Sequence, residues 1–266
     1  VNRDGYADVM VGAPDNNNHR GAAYVYSGRD GTLLLKLTGE QDGDRFGAAV
    51  SGFSGKTGAL LVVGAPRSGA GHRGRTYVYR SLDSRVAFTF DADESGQALG
   101  AMFLSVPGDV DGDGFPDVYA SDFSDNGKAP GAGKIYLQSG KDGHRLFTLT
   151  GQTAGEGFGT SASVAGDVDG DGIPDLIVGA WQYSVHANSG GRAYLHSGKD
   201  GRLLKTYTCR IPGDTFGFDA VGMGDVDADG TVDLLITSAW SGVHGFHSGR
   251  VFLISSGIAK PGAAKE

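Results

Sequence analysis

An Asp-rich phrase, Gly-Asp-Val-Asp, recurs at a constant interval in this chain, and this repeat limits the possible folds more than any other feature. The first Asp of the phrase is Asp109, Asp167 and Asp225, so that successive copies lie 58 residues apart. Self-similarity at one period is typical of an array of like units, each of which buries its apolar surface against its neighbours. The chain is therefore predicted to consist of repeated units.

Two less complete copies extend the array. The N-terminal segment VNRDGYADVMVGAP fits the frame without its first Asp, and SGKTGALLVVGAP, residues 54–66, is a degenerate copy. We expect one repeat domain over residues 1–258, followed by a C-terminal tail at 259–266. The predicted repeats cover approximately residues 1–52, 53–108, 109–166, 167–224 and 225–258.

Short apolar segments keep the same phase as the Asp loops. Each loop is followed by a short apolar run, then by an alternating segment such as AYLHSG, and, in most repeats, by a further run such as LLKTYTC. Asp-Gly stands between the last two segments in three copies, and it predicts a tight hairpin because Gly accepts positive φ. The repeat closes with Phe-Gly and a strand of small residues, and no helical period is sustained. Each repeat is predicted to form four short strands.

Four antiparallel strands in each repeat predict an all-β fold, a β-propeller of four-stranded blades. The chain holds about four and a half such blades. If Phe-Gly opens the innermost strand, the first blade lacks that strand and the fifth lacks its outer strand. Open ends expose unpaired backbone groups, and the chain opens inside a motif. We therefore expect a piece of a larger propeller, for which the missing signal peptide says little about the compartment.

The Asp loops have the composition of a cation site. Alternate residues in a tight loop can direct their carboxylates to one point, and Ca²⁺ binds six to eight oxygen ligands, including backbone carbonyls. Gly at the sixth position permits the sharp reversal. We expect three strong Ca²⁺ sites and a weaker N-terminal one. The predicted ligands are Asp109, Asp111, Asp113, Phe115 and Asp117; Asp167, Asp169, Asp171, Ile173 and Asp175; Asp225, Asp227, Asp229, Thr231 and Asp233; and, in the weaker site, Asn2, Asp4, Tyr6 and Asp8.

The sequence disfavours the other interpretations of these loops. An EF-hand needs a Glu at position 12, where this chain has Ala120, Val178 and Ile236, and it needs flanking helices. Mg²⁺ is disfavoured because it demands stricter octahedral geometry. Asp-Gly pairs can also be plain turn formers, but the same four-Asp spacing in three loops favours a metal site. In the degenerate copy, Lys56 could place its ammonium where the cation would lie, so we expect no Ca²⁺ there.

Charge and composition exclude several classes of function. The net charge is −8, from 31 acidic and 23 basic residues, so no basic stripe exists to bind nucleic acid. No apolar run approaches the length that spans a membrane. Cys209 is the only cysteine, which excludes an intrachain disulfide and Cys-rich metal sites.

The chain resembles the FG-GAP repeat family, known from the N-terminal propeller of integrin α subunits and from bacterial surface proteins. The motifs that carry the resemblance, besides the Asp loops, are Phe46-Gly47, Phe158-Gly159, Phe216-Gly217, Gly12-Ala13-Pro14, Gly64-Ala65-Pro66 and Gly179-Ala180-Trp181. Leu99-Gly100 replaces one Phe-Gly, and Ala120-Ser121-Asp122 replaces one Gly-Ala-Pro. The resemblance implies a seven-bladed propeller, calcium binding, a secreted or cell-surface location, and adhesion to or recognition of an extracellular glycan or protein ligand.

The loops between the second and third strands are the longest and most varied, and they should lie on the face opposite the Asp loops. Exposed aromatic and imidazole side chains there suit stacking and hydrogen bonding to a sugar or a peptide. Packing between blades is the alternative role for the tryptophans, and simple solvation is the alternative for the histidines. The candidate ligand-binding residues are Trp181, Tyr183, His186, Trp240, His244 and His247.

The sequence is compatible with three functions: a non-catalytic binding module, a polysaccharide-degrading lyase or hydrolase, and a purely structural surface component. The histidines, Tyr183 and acids such as Asp122, Asp125, Asp214 and Glu156 favour the enzyme. No Gly-x-Ser-x-Gly or His-Glu-x-x-His motif occurs. Asp44, Glu156 and Asp214 also recur two places before Phe-Gly, which favours a hairpin role in every repeat. The binding module is therefore the preferred prediction.

Overall fold

The computed structural model describes residues 1–55, 58–80 and 82–258, and in these residues 18 strands form five antiparallel sheets. Sheets two to four have four strands each, which we call A, B, C and D in chain order; sheet one has strands B, C and D, and sheet five has A, B and C. The predicted all-β fold of four-stranded antiparallel blades is confirmed. Lys56 and the tail at 259–266 lie outside the described residues.

The strands of the five sheets follow the chain order. Sheet one contains β1 (Val9–Ala13), β2 (Ala22–Tyr26) and β3 (Leu33–Thr38), and sheet two contains β4 (Val50–Gly55), β5 (Gly58–Ala65), β6 (Arg75–Arg80) and β7 (Val86–Asp91). Sheet three contains β8 (Leu104–Gly108), β9 (Asp117–Asp122), β10 (Lys134–Gln138) and β11 (Arg145–Thr150). Sheet four contains β12 (Ser161–Gly166), β13 (Asp175–Ala180), β14 (Arg192–His196) and β15 (Leu203–Thr208), and sheet five contains β16 (Phe216–Gly224), β17 (Asp233–Ser238) and β18 (Arg250–Ser255).

Helical structure in the described residues is limited to two short turns. These are α1 (Asn16–His19) and a 3₁₀ turn at Ala70–His72, both in B–C loops. Asn17 and Asn18 have φ of 49° and 55° inside α1, so this turn is not a regular helix. No helix in the described part of the chain has the length and apolarity needed to cross a membrane.

One apolar cluster fills the space between each pair of successive sheets. Between sheets three and four, for example, Tyr119 and Ile135 pack against Leu176, Val178 and Tyr194. The other three clusters join sheets one and two, two and three, and four and five. Successive side chains of a strand point to opposite faces, so each inner sheet contributes alternate residues to the cluster on either side. This face-to-face stacking is the packing of propeller blades.

The Phe-Gly and Gly-Ala-Pro motifs meet where neighbouring sheets approach most closely. Within sheet four, the N–H of Gly159 donates to the carbonyl oxygen of Gly179 at 3.0 Å. A Cβ added to Gly179 would collide with the carbonyl oxygen of Gly217, in the Phe-Gly of sheet five. A Cβ added to Gly12 of sheet one would likewise collide with the carbonyl oxygen of Gly47, in sheet two. The glycines therefore set the spacing between blades at the start of strand A.

The structure corrects the register of one motif in sheet three. Ser121, not Ala120, occupies the place of the motif glycine, because its backbone carbonyl accepts the N–H of Gly100 at 3.0 Å. The hydroxyl of Ser121 donates to the carbonyl oxygen of Gly159 at 2.5 Å and so bridges to the next sheet. The Gly-Ala-Pro equivalent is therefore Ser121-Asp122-Phe123 rather than the predicted Ala120-Ser121-Asp122.

We expect Gly179→Ala to destabilise the fold by about 1–3 kcal/mol, the usual cost of overpacking a tight contact. The obstructing atom is the backbone carbonyl oxygen of Gly217, which cannot move aside by a side-chain rotation. Gly242→Ala is the matched control, since a Cβ there has space and the backbone does not require glycine. Denaturant unfolding of both variants measures the effect. Equal free energies of unfolding for the two variants would show that the close approach of the sheets does not require glycine at position 179.

Candidate metal centres

The loop between β8 and β9 is folded by its own carboxylates. Asp109 accepts the N–H groups of Gly112 at 2.7 Å, Asp113 at 3.1 Å and Gly114 at 2.8 Å. Asp111 accepts the N–H of Asp113 at 3.0 Å, and Asp113 accepts that of Phe115 at 2.8 Å. These hydrogen bonds engage the backbone N–H groups of the loop, and the loop brings carboxylate oxygens close together at its centre.

The last Asp of the loop begins strand B and is buried. Asp117 accepts the N–H of Val110 at 2.7 Å and the N–H of Gly140, in the C–D turn, at 3.0 Å. Burial raises the pKa of Asp117 to about 6, and the neighbouring Asp111 carboxylate acts in the same direction. Burial also raises the pKa of Asp175, the equivalent residue of sheet four. A bound cation would favour the charged form of both groups.

Three loops each bring three carboxylates together, with ligand oxygens that lie within 4.8 Å of one another. Asp113, Asp171 and Asp233 were predicted as ligands and are not in these groups. Asp113 accepts the hydroxyl of Ser139 at 3.0 Å. The roles of Asp113, Asp171 and Asp233 as metal ligands remain predictions. The three groups are Asp109, Asp111 and Asp117; Asp167, Asp169 and Asp175; and Asp225, Asp227 and Asp229. The carbonyl ligands at Phe115, Ile173 and Thr231 remain predictions.

These oxygens fit a hard cation. All donors are carboxylates, which is the ligand type that Ca²⁺ prefers, and Oδ1 of Asp167 is buried without a hydrogen-bond partner. A buried polar atom without a partner is costly, so this oxygen is available to a ligand. The loops could therefore hold Ca²⁺ with these side chains.

The N-terminal loop repeats the same turn. Asn2 accepts the N–H of Asp4 at 3.2 Å, and Asp4 accepts that of Tyr6 at 2.9 Å. Asp8 accepts the N–H of Gly28 at 3.1 Å, as Asp117 accepts that of Gly140. The nitrogen of Val1 donates to Asp8 in the place where Val110 donates to Asp117. With two carboxylates and one amide, this loop offers less charge than the other three.

Sequence reasoning missed two serines at the end of strand C that donate hydrogen bonds to the Asp loops. Besides Ser139, Ser255 in sheet five donates its hydroxyl to Asp229 at 3.3 Å. A Ser-Gly pair recurs at constant phase at Ser27, Ser139 and Ser197. The contacts of Ser139 and Ser255 place the ends of these C strands on the same side of the propeller as the Asp loops.

Two cationic side chains of the protein face the Asp loop of sheet four. Arg202 is 2.7 Å from Asp169, and Lys199 is 3.8 Å from Asp171. A fixed positive charge beside a ligand opposes the binding of a second cation. We expect Arg202→Ala to raise the Ca²⁺ affinity of this loop by about 1.5- to 5-fold, which corresponds to the 0.2–1 kcal/mol of an exposed ion pair.

Calcium titration by calorimetry measures that change, and Arg85→Ala is the control. The side chain of Arg85 is 90% exposed, and its ion-pair partner is Asp83, at 3.5 Å, which belongs to none of the three carboxylate groups. Removal of its charge should leave the affinities unchanged. An equal change in both variants would indicate an effect of net charge, not of the Arg202 contact.

Three of the predicted ligand-binding residues, Trp181, Trp240 and His247, belong to one aromatic cluster on the opposite face. Trp181 packs edge-on against Trp240 with ring centroids 5.1 Å apart, and both tryptophans lie beside Phe218. His247 stacks on Trp240 at 6.2 Å, and Phe246, which is 91% exposed, stacks on His247 at 3.9 Å. This aromatic patch, Trp181, Phe218, Trp240, Phe246 and His247, lies on the B–C side of sheets four and five. His186 and His244 are exposed outside it.

Tyr183 does not share this exposure. Its side chain is buried in the cluster between sheets three and four, and the guanidinium of Arg192 lies 3.8 Å from the centre of its ring. The surface contact predicted for Tyr183 is therefore wrong, because the ring is already covered by the protein.

The acids that favoured an enzyme are engaged in structural contacts. Glu156 accepts the hydroxyls of Thr153 at 2.7 Å and Tyr194 at 3.1 Å. Asp214 accepts the guanidinium of Arg250 at 2.7 Å. Likewise, Asp122 accepts two backbone N–H groups, and Asp125 pairs with Lys134 at 3.3 Å. These carboxylates hold loops to neighbouring strands.

Fold and loops together define a propeller whose blades carry Asp-rich A–B loops. The sequence model of the FG-GAP-like repeat matches residues 109–178, and that of the FG-GAP repeat matches residues 1–26. The chain is thus an FG-GAP repeat propeller that resembles integrin α subunits.

Two integrin α subunits illustrate the similarity. Integrin alpha-5 of Xenopus laevis is 31% identical over 214 residues, which are 73% of this chain and 20% of that protein. Integrin alpha-4 of the same species is 24% identical over 246 residues, which are 86% of this chain and 23% of that protein. This chain thus spans about a fifth of the length of these relatives. In fold alone it is similar to Sqt1 of Saccharomyces cerevisiae, with a TM-score of 0.55 at 12% identity over 87% of this chain and 52% of that one.

Proposed function

We propose that this chain is an extracellular calcium-binding propeller module for adhesion or recognition, in which Ca²⁺ has a structural role. The observation that carries the proposal is the repeated gathering of three carboxylates within 4.8 Å in three equivalent loops. Like charges at this distance repel each other unless a cation compensates them. The same loops lie between strands A and B of sheets three, four and five, so the ions would stiffen one side of these three sheets.

The location and the class of partner rest on the resemblance to integrin α subunits. It supports a secreted or cell-surface protein that binds an extracellular protein or glycan. The net charge of −8 agrees with a partner other than nucleic acid. The acids and histidines do not assemble into a recognisable catalytic group in the described residues, so the binding module is preferred over the polysaccharide-degrading enzyme.

The ligand surface in this proposal is the aromatic patch. Exposed apolar patches with polar surroundings mark interaction sites, and Trp is prominent among residues that dominate binding energy. Trp240 is half exposed and its orientation is held by Trp181 and His247. Screening the protein on glycan and extracellular-matrix protein arrays, in the presence of Ca²⁺, tests the proposed function. Absence of binding on both arrays would favour the purely structural role.

We expect Trp240→Ala to weaken binding of an array ligand by about 1–3 kcal/mol, the scale of a truncated aromatic anchor. Leu33→Ala, which removes an exposed apolar side chain on sheet one, is the control and should bind normally. Melting temperature is measured on the same variants. Normal binding by Trp240→Ala and Trp181→Ala, together with a lower melting temperature, would assign both tryptophans to packing between blades.

A further inference from the structure

A cleft of about 520 Å³ lies on the B–C side of the propeller, between sheets one and two. Asp15 and His19 line it from the B–C loop of sheet one. Gly43 and Arg45 line it from the connection between the two sheets, and Arg67 lines it from the start of the B–C loop of sheet two. Each of these connections joins two described strands, so the cleft is an internal feature of the array.

One carboxylate in the cleft orients two cationic side chains. Oδ1 of Asp15 accepts hydrogen bonds from Nδ1 of His19 at 2.9 Å and from Nη2 of Arg45 at 3.0 Å. These contacts hold the pKa of Asp15 below its usual value. Arg67 is exposed, and its guanidinium has neither a hydrogen bond nor an ion pair within the described residues. Positive charge therefore exceeds negative charge in the cleft, although the whole chain carries a net charge of −8.

The two arginines are not part of the repeat pattern. The equivalent residues of sheets three, four and five are uncharged: Ala98, Gly157 and Thr215 for Arg45, and Ser124, Gln182 and Ser241 for Arg67. Arg45 also has a φ of 57°, in the left-handed region that favours glycine. The backbone therefore gives no reason for a long side chain at this position. Differences between repeats that fall on one face often mark the binding face of an array.

Cationic side chains continue along the B–C loops. The tripeptide His-Arg-Gly ends the loop of sheet one, beginning at His19, and the loop of sheet two, beginning at His72. Arg20 of the first copy pairs with Asp42 at 2.8 Å, whereas Arg73 of the second copy has no ion pair in the described part of the chain. Two neighbouring blades thus present the same cationic motif, which suits a ligand whose negative charges recur along its length.

We propose that this cleft binds an anionic polysaccharide, with sulfate or carboxylate groups held by Arg45 and Arg67. A guanidinium presents a planar set of N–H donors that matches carboxylates and tetrahedral oxyanions. The inference rests on the proposed recognition of an extracellular glycan and adds the chemical class of that glycan. The aromatic patch lies on the same side of the propeller, at sheets four and five, and is a separate surface.

Biolayer interferometry in Ca²⁺ with immobilised heparin, dextran sulfate and hyaluronan tests the proposal. Heparin carries both anionic groups, dextran sulfate carries sulfate alone and hyaluronan carries carboxylate alone, so the three probes identify the group that binds. Arg45→Gln combined with Arg67→Gln should weaken binding by about tenfold, because two charge-assisted contacts are lost. Binding by this double variant should also depend less steeply on salt, because fewer counterions are released.

Arg29→Gln combined with Arg85→Gln is the control, since it makes the same change in net charge at exposed positions in C–D turns, on the opposite face. The control should bind like the wild type, and unchanged melting temperatures show that both double variants are folded. Immobilised polyglutamate represents an acidic protein segment and should bind more weakly than heparin.

Three results would each overturn the proposal: no binding of any of the three polysaccharides at low salt, tighter binding of polyglutamate than of heparin, or no difference between the two double variants. The proposed function fails separately. A ligand found on the arrays and weakened by Trp240→Ala, without binding of these polysaccharides, would leave the recognition function standing and refute this inference alone.

Discussion

EDTA should lower the melting temperature of this chain by about 5–10 °C or more, and millimolar Ca²⁺ should restore it. A ligand that binds only the folded state stabilises it by about 2.7 kcal/mol per site at a hundredfold excess over its dissociation constant, and 1 kcal/mol shifts the melting of a chain of this size by about 2–4 °C. Removal of the ion also leaves the three carboxylates of each loop close together without a compensating cation, so that they repel each other.

Scanning calorimetry in EDTA, in EDTA saturated with Ca²⁺, and in excess Mg²⁺ measures this effect. Calcium-saturated EDTA is the control for the chelator itself and should leave the melting curve unchanged. Mg²⁺ should restore less stability, because the loops do not provide its stricter octahedral geometry. The same melting curve in EDTA and in Ca²⁺ would falsify the structural role of the metal.

Phe158→Ala should destabilise the fold by about 3–5 kcal/mol, the usual cost of truncating a buried Phe. The ring of Phe158 is fully buried between sheets three and four, and it packs edge-on against Tyr194 with centroids 5.1 Å apart. Its backbone N–H also donates to the carbonyl oxygen of Ala132 at 2.9 Å. The motif Phe therefore joins two sheets at once.

Phe246→Ala is the matched control for this substitution, since it removes the same side chain from a solvent-exposed position in the aromatic patch. We expect its stability to stay close to that of the wild type. Urea unfolding of both variants compares the free energies directly. If the two variants unfolded at the same urea concentration, the Phe of the motif would have no special role between blades.

The sequence was sufficient to predict the features that repeat. Each complete Asp loop ends on the first residue of a strand B, at Asp117, Asp175 and Asp233. Period-two alternation and Asp-Gly turns then determine strands C and D, because both signals act over a few neighbouring residues. The fold class and the positions of the loops follow from this local information.

Features that depend on contacts between distant segments could not be predicted from the pattern. Asp113 accepts the hydroxyl of Ser139, 26 positions further along the chain, and its spacing gave no indication of this contact. Tyr183 is covered by Arg192, which comes from strand C of the same sheet. The hydrogen bond from the Ser121 hydroxyl to Gly159 in the next sheet likewise has no signal in the repeat pattern.

The number of Ca²⁺ ions bound by the chain tests the central claim most directly. Native mass spectrometry of EDTA-treated protein titrated with Ca²⁺ should show three tightly bound ions and a fourth, weaker one at Asn2, Asp4 and Asp8. Asp109→Asn combined with Asp111→Asn should reduce the tight ions to two, because it removes charge from one of the three carboxylate groups. Binding of no Ca²⁺, or an unchanged count in this double variant, would contradict the assignment of the Asp loops as calcium sites.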